Sequence, residues 1–249
     1  ARVAIVSNTR VEWVIADLGI LGAGCTTVPI YQSSIADDVQ YIINDANVEC
    51  VFVEDAGQIK KLRSIKEQIP QIKRVICFEA CESDEWVVSW EDFFAQGAEL
   101  WSEHQAQVES RVTEVNPHDL LTLIYTSGTT GFPKGATLTH RNILNNGYNV
   151  ALGQKITHED RLCIPVPFYH CFGMVMSNLA CMTHGSATVF PGEGFDALAT
   201  LEAVAEERCT ALHGVPTMFI AQLAHPDFAG TDFSSLRTGL MAGSPCPVE

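Results

Sequence analysis

The stretch that decides the fold of this chain is Tyr125-Thr-Ser-Gly-Thr-Thr-Gly-Phe-Pro-Lys134-Gly135. It follows an apolar run at 120–124, which predicts a buried strand. Small residues let backbone N–H groups point at an anion, hydroxyls add further donors, and Lys134 adds a positive charge. Because the formal net charge of the chain is -15, such a positive site must be local. The stretch therefore predicts a polyphosphate site, with ATP as the expected ligand.

The spacing of this loop differs from that of the Walker loop. A Walker loop needs a glycine, four residues, and then Gly-Lys-Ser/Thr. Counting from Gly128 puts Pro133 at the second glycine and Gly135 at the magnesium-binding hydroxyl. Proline has no N–H to offer a phosphate. The loop therefore needs another phosphate-binding geometry, and the alternative is an ordinary polar loop between two strands.

Composition narrows the class of protein. The chain has 249 residues, of which 47% are hydrophobic, enough for a packed core, and no apolar run reaches bilayer length. The acidic balance argues against nonspecific nucleic-acid binding. The nine scattered cysteines are an odd number without framework spacing, which favours reduced thiols. Cys77 and Cys81 could form half of a metal site, but no second half follows, so no metal site is predicted.

Strand and helix patterns alternate along the chain, which favours a parallel sheet covered by helices. Strands are predicted at 3–6, 26–30, 48–53, 74–78, 136–138, 162–166, 187–190, 210–213 and 236–241. Helices are predicted at 11–21, with Asn8 or Thr9 as cap, and at 34–43, 58–68, 140–152, 172–184, 197–208 and 216–223. The acidic stretch 79–114, with a short helix near 91–96, is interpreted as a passage between two lobes, and an exposed insertion is the alternative.

The loop at 125–135 resembles the signature loop of the adenylate-forming superfamily, which holds acyl-CoA synthetases, luciferases and peptide-synthetase adenylation domains. Four further segments resemble segments of that superfamily and occur in the same order. They are LGAGCTTVPI at 21–30, PVPFYHCFG at 165–173, GVPTMF at 214–219 and AGSP at 242–245. The likeness covers nearly the whole chain and is strongest to fatty acyl-CoA synthetases, near the medium-chain members.

The resemblance implies an α/β fold of two helix-covered, largely parallel sheets packed together. It further implies that residues 1–249 are a fragment of the large AMP-binding domain, with lobes at approximately 1–110 and 111–249. The small C-terminal domain with its catalytic lysine is expected to be absent. The fragment alone is therefore expected to be inactive.

The resemblance also implies a two-step ligase reaction and its site residues. A carboxylate attacks the α-phosphate of ATP to give an acyl-adenylate and pyrophosphate, and coenzyme A then displaces AMP, with Mg2+ assisting the first step. The catalytic residues are expected to be His170 and Lys134. The triphosphate contacts are assigned to Thr126, Ser127, Gly128, Thr129, Thr130, Gly131 and Lys134. The alternative for His170 is a hydrogen-bonded histidine at a strand end.

Two further sets of site residues follow from the same resemblance. Gly243, Ser244 and Pro245 are expected beside the adenine, although a turn after a strand explains the same residues. Met174, Val175 and Met176 are expected to line an acyl tunnel, since methionine adapts to flexible chains. Ordinary helix core is the alternative for these three.

The expected substrate is a fatty, medium-chain acid. Amino-acid-activating relatives place an aspartate close to the position of Cys171, where a buried ammonium would need a partner, and 170–176 contain no acid. An amino-acid or aryl-acid adenylating enzyme, or a non-catalytic nucleotide- or acyl-binding fragment, remains the alternative. The expected partners are small molecules, namely the fatty acid, ATP and CoA. The oligomeric state is left open. The location is expected to be cytoplasmic, or an organelle matrix if a targeting peptide has been removed.

Overall fold

The computed structural model describes residues 1–126 and 132–246. The chain divides into two compact units, Ala1–His140 and Arg141–Glu249. The boundary lies thirty residues after the expected lobe boundary at 110. The difference arises because two strands after residue 110 pair into the first sheet.

The first unit contains a seven-stranded sheet with the spatial order β5-β4-β3-β1-β2-β6-β7. Every neighbouring pair is parallel except β6 and β7, which form an antiparallel hairpin at one edge. The strands are β1 (Arg2–Val6), β2 (Thr26–Ile30), β3 (Cys50–Val53), β4 (Arg74–Cys77), β5 (Val87–Ser89), β6 (Leu120–Thr126) and β7 (Lys134–Thr139). The apolar runs predicted as strands thus become the buried centre of a sheet.

Within its described residues, the first unit has four helices and a short 3-10 turn. They are α1 (Val11–Gly22), α2 (Ala36–Asp45), α3 (Ala56–Ser64), α4 (Trp90–Glu114) and the 3-10 turn Lys66–Gln68. Residue Arg10, and not Asn8 or Thr9, is the N-cap of α1, and it makes no side-chain capping bond. Helix α3 does have a side-chain cap, because Asp55 accepts a hydrogen bond from the Gln58 amide.

Helix α4 corrects the expectation of a short helix near 91–96, because it runs for 25 residues. Its N-cap hydroxyl, on Ser89, accepts from the Asp92 amide at 3.1 Å. Further along, the Gln105 amide donates to Glu109 at 2.8 Å, four residues later, as helix geometry allows. None of residues 90–114 is buried. The periodic apolar face that identifies a helix from sequence is therefore weak here.

The second unit contains a four-stranded, all-parallel sheet with the order β11-β10-β8-β9. Its strands are β8 (Arg161–Cys163), β9 (Ala187–Val189), β10 (Ala211–Gly214) and β11 (Thr238–Met241). Its helices are α5 (His140–Gly153), α6 (Ala180–His184), α7 (Ala197–Glu206), α8 (Pro216–Leu223) and the 3-10 turn Pro226–Gly230. A small core of Cys163, Val204, Cys209 and Leu212 lies between sheet and helices.

The helix predicted at 172–184 is wound in two ways. Residues Phe172–Leu179 form a π-helix, and α6 continues from it. Gly173 shows why the chain tolerates this path, because a Cβ there would lie 2.3 Å from the Pro167 carbonyl oxygen. Sequence periodicity does not distinguish π from α winding. The π-helix is therefore a feature that the tertiary structure adds.

Candidate functional site

The two ends of the hydroxyl-rich loop lie opposite each other in the first sheet. Strand β6 ends at Thr126, strand β7 begins at Lys134, and the two residues are partners in the antiparallel register. Both residues are exposed. The predicted contact residues Ser127, Gly128, Thr129, Thr130 and Gly131 lie outside the described residues. The described part of the site therefore offers one hydroxyl and one ammonium at the base of the loop.

Tyr125 anchors this base from below. Its hydroxyl donates to the Asp45 carboxylate at 2.6 Å. Burial and this hydrogen bond raise the pKa of Tyr125, so the phenol remains a neutral donor. The ring lies over Gly135, where an added Cβ would come within 3.0 Å of it. Glycine at 135 therefore leaves room for the Tyr125 ring beside the start of β7.

Phe132 forms the entry to β7 together with an aromatic partner on α2. Its ring stacks on Tyr41 with centroids 4.8 Å apart and planes at 18°, although 72% of Phe132 is exposed. A cleft of about 170 Å³ opens beside the loop base. It is lined by Pro29, Ile30, Tyr31, Ser34, Asp38, Ile42, Tyr125, Thr126 and Pro133. The loop base is therefore open on one side.

The turn that lines this cleft is held by Lys61. Its ammonium donates to the carbonyl oxygens of Gln32 at 2.8 Å and Ser34 at 2.7 Å. Partial burial lowers the pKa of Lys61. Because Lys61 is committed to these carbonyls, Lys134 at the loop base is the better candidate to meet a phosphate.

His170 lies at the start of the π-helix in the second unit. Its Nδ1 accepts from the Phe172 amide at 3.1 Å, and its carbonyl accepts from Met174 N at 3.0 Å. An acceptor Nδ1 places the proton of the neutral ring on Nε2. The residue is exposed, yet partial burial lowers its pKa. The imidazole is therefore a neutral Nε2–H donor, and it also caps its own helix.

The predicted acyl-pocket residues sit on the π-helix. Met174 and Val175 are buried, while Met176 is partly exposed. Their successor Ser177 is fully buried and polar. A lining role in a tunnel and a role in the core both remain compatible with this burial, so the acyl assignment stays a prediction.

The predicted adenine-side residues follow β11 in an exposed turn. Gly243 has a φ of +94°, which favours glycine. A Cβ at this position would meet Val215 Cγ1 at 3.1 Å. The turn is fixed to β10 by a hydrogen bond from Ala242 N to the Gly214 carbonyl oxygen at 3.2 Å. Ser244 and Pro245 are exposed beside it.

One buried polar group was assigned no role from the sequence. His213, on β10, is fully buried and lies between Ser177 and Gln154. The signal that could have identified it is a histidine inside a short apolar strand, where a polar group must find partners. The sequence could not name those partners, because they lie 36 and 59 residues away.

Fold and site together define an α/β domain. Its first sheet has an antiparallel hairpin, β6 and β7, at one edge, and the sequence between these two strands is rich in hydroxyls and glycine. The fold matches the N-terminal domain of FACL13 from Mycobacterium tuberculosis, with a TM-score of 0.78 and 22% identity over 99% of this chain and 57% of that one. It also matches the anthranilate CoA ligase AuaEII in complex with anthranoyl-AMP, with a TM-score of 0.82 and 21% identity over 99% and 46% of the two chains.

The family follows from the sequence itself. The family model described as AMP-binding enzyme matches residues 1–249, and the chain belongs to that family. YngI of Bacillus subtilis (strain 168) is 37% identical over all of this chain and 47% of its own length. The medium-chain acyl-CoA ligase ACSF2, mitochondrial, of Danio rerio is 32% identical over 96% of this chain and 42% of its own. The resemblance stated from the loop is thereby confirmed.

The chain spans less than half the length of these relatives. A third relative, the acyl-CoA ligase sidI of Aspergillus fumigatus (strain ATCC MYA-4609 / CBS 101355 / FGSC A1100 / Af293), is 49% identical over 56% of this chain and 24% of its own. Within residues 1–126 and 132–246, every helix is too short or too polar to cross a bilayer.

Proposed function

We propose that the protein carrying this chain is an ATP-dependent acid–thiol ligase that converts a fatty, medium-chain acid to its acyl-CoA. The observation that carries the proposal is the pairing of Thr126 with Lys134 across the base of the hydroxyl-rich loop. Membership of the AMP-binding enzyme family supports it. Relatives named as acyl-CoA ligases support the choice of reaction.

The first step forms an acyl-adenylate. A carboxylate oxygen of the acid attacks the α-phosphorus of ATP, a new P–O bond forms, and the bond to pyrophosphate breaks. Negative charge on the departing pyrophosphate needs donors in fixed positions. The Lys134 ammonium and the Thr126 hydroxyl supply such donors at the loop base, and the residues from Ser127 to Gly131 are proposed to add their own. In the second step the CoA sulfur attacks the acyl carbon and AMP leaves.

His170 is proposed to orient the reacting carboxylate or the α-phosphate. Its Nδ1 is occupied by the Phe172 amide, so Nε2–H is the group that can donate. A lowered pKa keeps the ring neutral near pH 7. A neutral ring donates to an oxygen without becoming a counter-ion that would hold the product tightly.

The proposed acid has an apolar tail. An amino acid would need an anionic partner for its ammonium, and residues 171–176 contain none. Met174, Val175 and Met176 are proposed as the wall of the acyl pocket. The relative named as a medium-chain ligase supports the chain length. The turn of Gly243, Ser244 and Pro245 is proposed to pass beside the adenine. Gly243 has no Cβ, so the backbone there can approach the flat ring closely.

Mg2+ is proposed as the companion of ATP, without ligands assigned in this chain. Among residues 1–126 and 132–246, no three His, Cys, Asp or Glu side chains lie close enough together to hold an ion. The cellular location is proposed to be the cytoplasm or an organelle matrix. The mitochondrial ACSF2 relatives agree with the second of these.

Exchange of labelled pyrophosphate into ATP tests the proposal directly. The full-length protein that contains these residues is assayed with acetate, octanoate, palmitate, benzoate and leucine. We expect octanoate to support the fastest exchange, followed by CoA-dependent thioester formation. Exchange with leucine or benzoate but not with octanoate would overturn the fatty-acid assignment in favour of amino-acid or aryl-acid adenylation.

The same assay on residues 1–249 alone separates the enzyme from a binding fragment. We expect thioester formation by the full-length protein and none by the 249 residues, because the chain covers less than half of its relatives. Rapid thioester formation by the 249 residues alone would contradict the expectation that they are inactive by themselves. ATP binding by the full-length protein without exchange for any acid would favour a non-catalytic module.

A further inference from the structure

Three hydrogen-bonded polar side chains, two fully buried and one partly buried, run through the second unit. The Ser177 hydroxyl lies 2.8 Å from His213 Nδ1, and His213 Nε2 lies 2.9 Å from Gln154 Oε1. Ser177 and His213 are both 0% exposed. A buried polar side chain costs stability unless its hydrogen bonds are made, so the burial of Ser177 and His213 requires an explanation.

The directions of these hydrogen bonds follow from the ring's charge. Burial lowers the pKa of His213 to about 4, so the ring is neutral near pH 7. The amide oxygen of Gln154 can only accept, so His213 Nε2 carries the proton and donates to it. The Nδ1 atom of the ring must then accept from the Ser177 hydroxyl. All hydrogen-bonding capacity of the imidazole is thereby used.

This chain of bonds ends on the π-helix Phe172–Leu179. Ser177 Oγ also donates to the carbonyl oxygen of Phe172, five residues earlier, at 2.8 Å, so its single proton is shared between this carbonyl and His213 Nδ1. The Phe172 ring packs against the His213 ring, with centroids 5.7 Å apart and planes tilted by 35°. Ser177 and Phe172, which both meet His213, thus belong to one turn of the π-helix. π winding is rare and is found frequently at functional sites. The contacts of Phe172 and Ser177 with His213 indicate what stabilises it here.

We propose that His213 is a positioning residue, which holds the π-helix in register through Ser177 and so sets the length of acid that the pocket accepts. This inference rests on the proposed function, because it takes Met174, Val175 and Met176 as the pocket wall. Gly214 follows His213 on β10, and its carbonyl oxygen accepts the hydrogen bond that holds the turn at Ala242.

The physical consequence of losing these bonds is a change of winding. A π-helix places one more residue in a turn than an α-helix. Relaxation to α winding would turn the side chains of Met174 and Met176 to new directions, while the loop at 125–135 belongs to the other unit. The expected effect therefore falls on acid selection. ATP affinity should be unchanged, because the turn at 242–245 is held by the backbone carbonyl of Gly214, which the side-chain variants keep.

The test uses the full-length protein and the variants Ser177→Ala and His213→Phe, with Thr200→Val as matched control. Thr200 is fully buried in the same unit and donates to the Asp196 carbonyl oxygen, so each single-hydroxyl variant removes one buried donor. We expect the ratio of kcat/KM for octanoate over palmitate to change by roughly tenfold or more in the first two, the discrimination that a methylene or two provides. Thr200→Val should keep the wild-type ratio.

His213→Asn provides a rescue, because its amide oxygen can take the place of Nδ1 as acceptor for Ser177. We expect this variant to keep an acid preference close to that of the wild type, and all variants to keep the KM for ATP. If His213→Phe does not fold, Ser177→Ala carries the test.

Two failures are distinguishable. Wild-type protein without turnover of any fatty acid overturns the proposed function and this inference with it. Wild-type turnover combined with an unchanged octanoate-to-palmitate ratio in Ser177→Ala overturns the inference alone.

Discussion

Lys134 begins β7, an edge strand of the first sheet, and its side chain is exposed. Removal of its ammonium should therefore affect ligand binding more than folding. For Lys134→Ala we expect pyrophosphate exchange to fall by roughly a hundredfold, the usual cost of losing one transition-state donor. The free energy of unfolding should change by less than about 0.5 kcal/mol, as for most surface substitutions.

Exchange rates and thermal unfolding of Lys134→Ala check this expectation, with Lys60→Ala on the exposed face of α3 as control. The control should alter neither quantity much. An unfolded Lys134→Ala variant, or one that keeps full ATP affinity and exchange, would make Lys134 structural.

Asp17 lies buried on α1 and accepts from the Thr27 hydroxyl at 2.6 Å. Burial raises its pKa from 3.8 to about 6, although the Thr27 bond opposes this. The folded protein therefore binds a proton more tightly than the unfolded chain, so stability from this group is full below about pH 4 and is lost as pH rises through about 6. Asp17→Asn, which keeps an acceptor for Thr27, should remove this loss and stabilise the protein at pH 7.5 by on the order of 2–3 kcal/mol.

Chemical unfolding of Asp17→Asn between pH 4 and 8 checks the sign as well as the size. The exposed Glu82→Gln serves as control and should keep the wild-type slope. A wild-type slope between pH 4 and 6 in Asp17→Asn would show that another group carries the pH dependence.

At the scale of elements, two glycines in helices should respond oppositely to alanine. Gly173, in the π-helix, would place a Cβ 2.3 Å from the Pro167 carbonyl oxygen, a backbone atom that cannot step aside cheaply. Gly97, in α4, would place its Cβ in open space. We expect Gly173→Ala to destabilise the protein by about 2 kcal/mol or more and Gly97→Ala to stabilise it by up to about 1 kcal/mol.

Thermal unfolding midpoints of the two variants provide the measurement, and each glycine acts as the other's control. Equal and small shifts would mean that the backbone at 167 yields easily. In that case the path of the π-helix would not depend on the missing side chain at 173.

Elements also show where sequence periodicity stops being informative. Strand β2 was predicted with its observed bounds, because a run of five apolar or β-branched residues between turns is typical of a strand. Helix α4 was predicted as a fragment of its 25 residues, because none of its residues is buried and its apolar periodicity is correspondingly weak. The π winding at 172–179 was not predicted, since it depends on Pro167 and His213 from outside the helix.

At the scale of the whole molecule, the acidic balance limits where an anionic ligand could bind. With a formal net charge of -15, a phosphate ligand must be attracted by a local group, and Lys134 at the loop base is that group in our proposal. The two units share the α/β pattern, and each has its own sheet. The hairpin of β6 and β7 belongs to the first unit, which moves the unit boundary past the expected lobe boundary.

The sequence by itself determined the α/β class, the family and the position of the phosphate-loop candidate. These properties are local, because strand periodicity, glycine and proline positions and a hydroxyl-rich run are all written in neighbouring residues. Only the tertiary structure decided that Thr126 faces Lys134, that Tyr125 is anchored on Asp45, and that His213 meets Ser177. The last two of those pairings join residues 80 and 36 positions apart in sequence, and a buried polar side chain acquires its role only when folding brings its partner within hydrogen-bond distance.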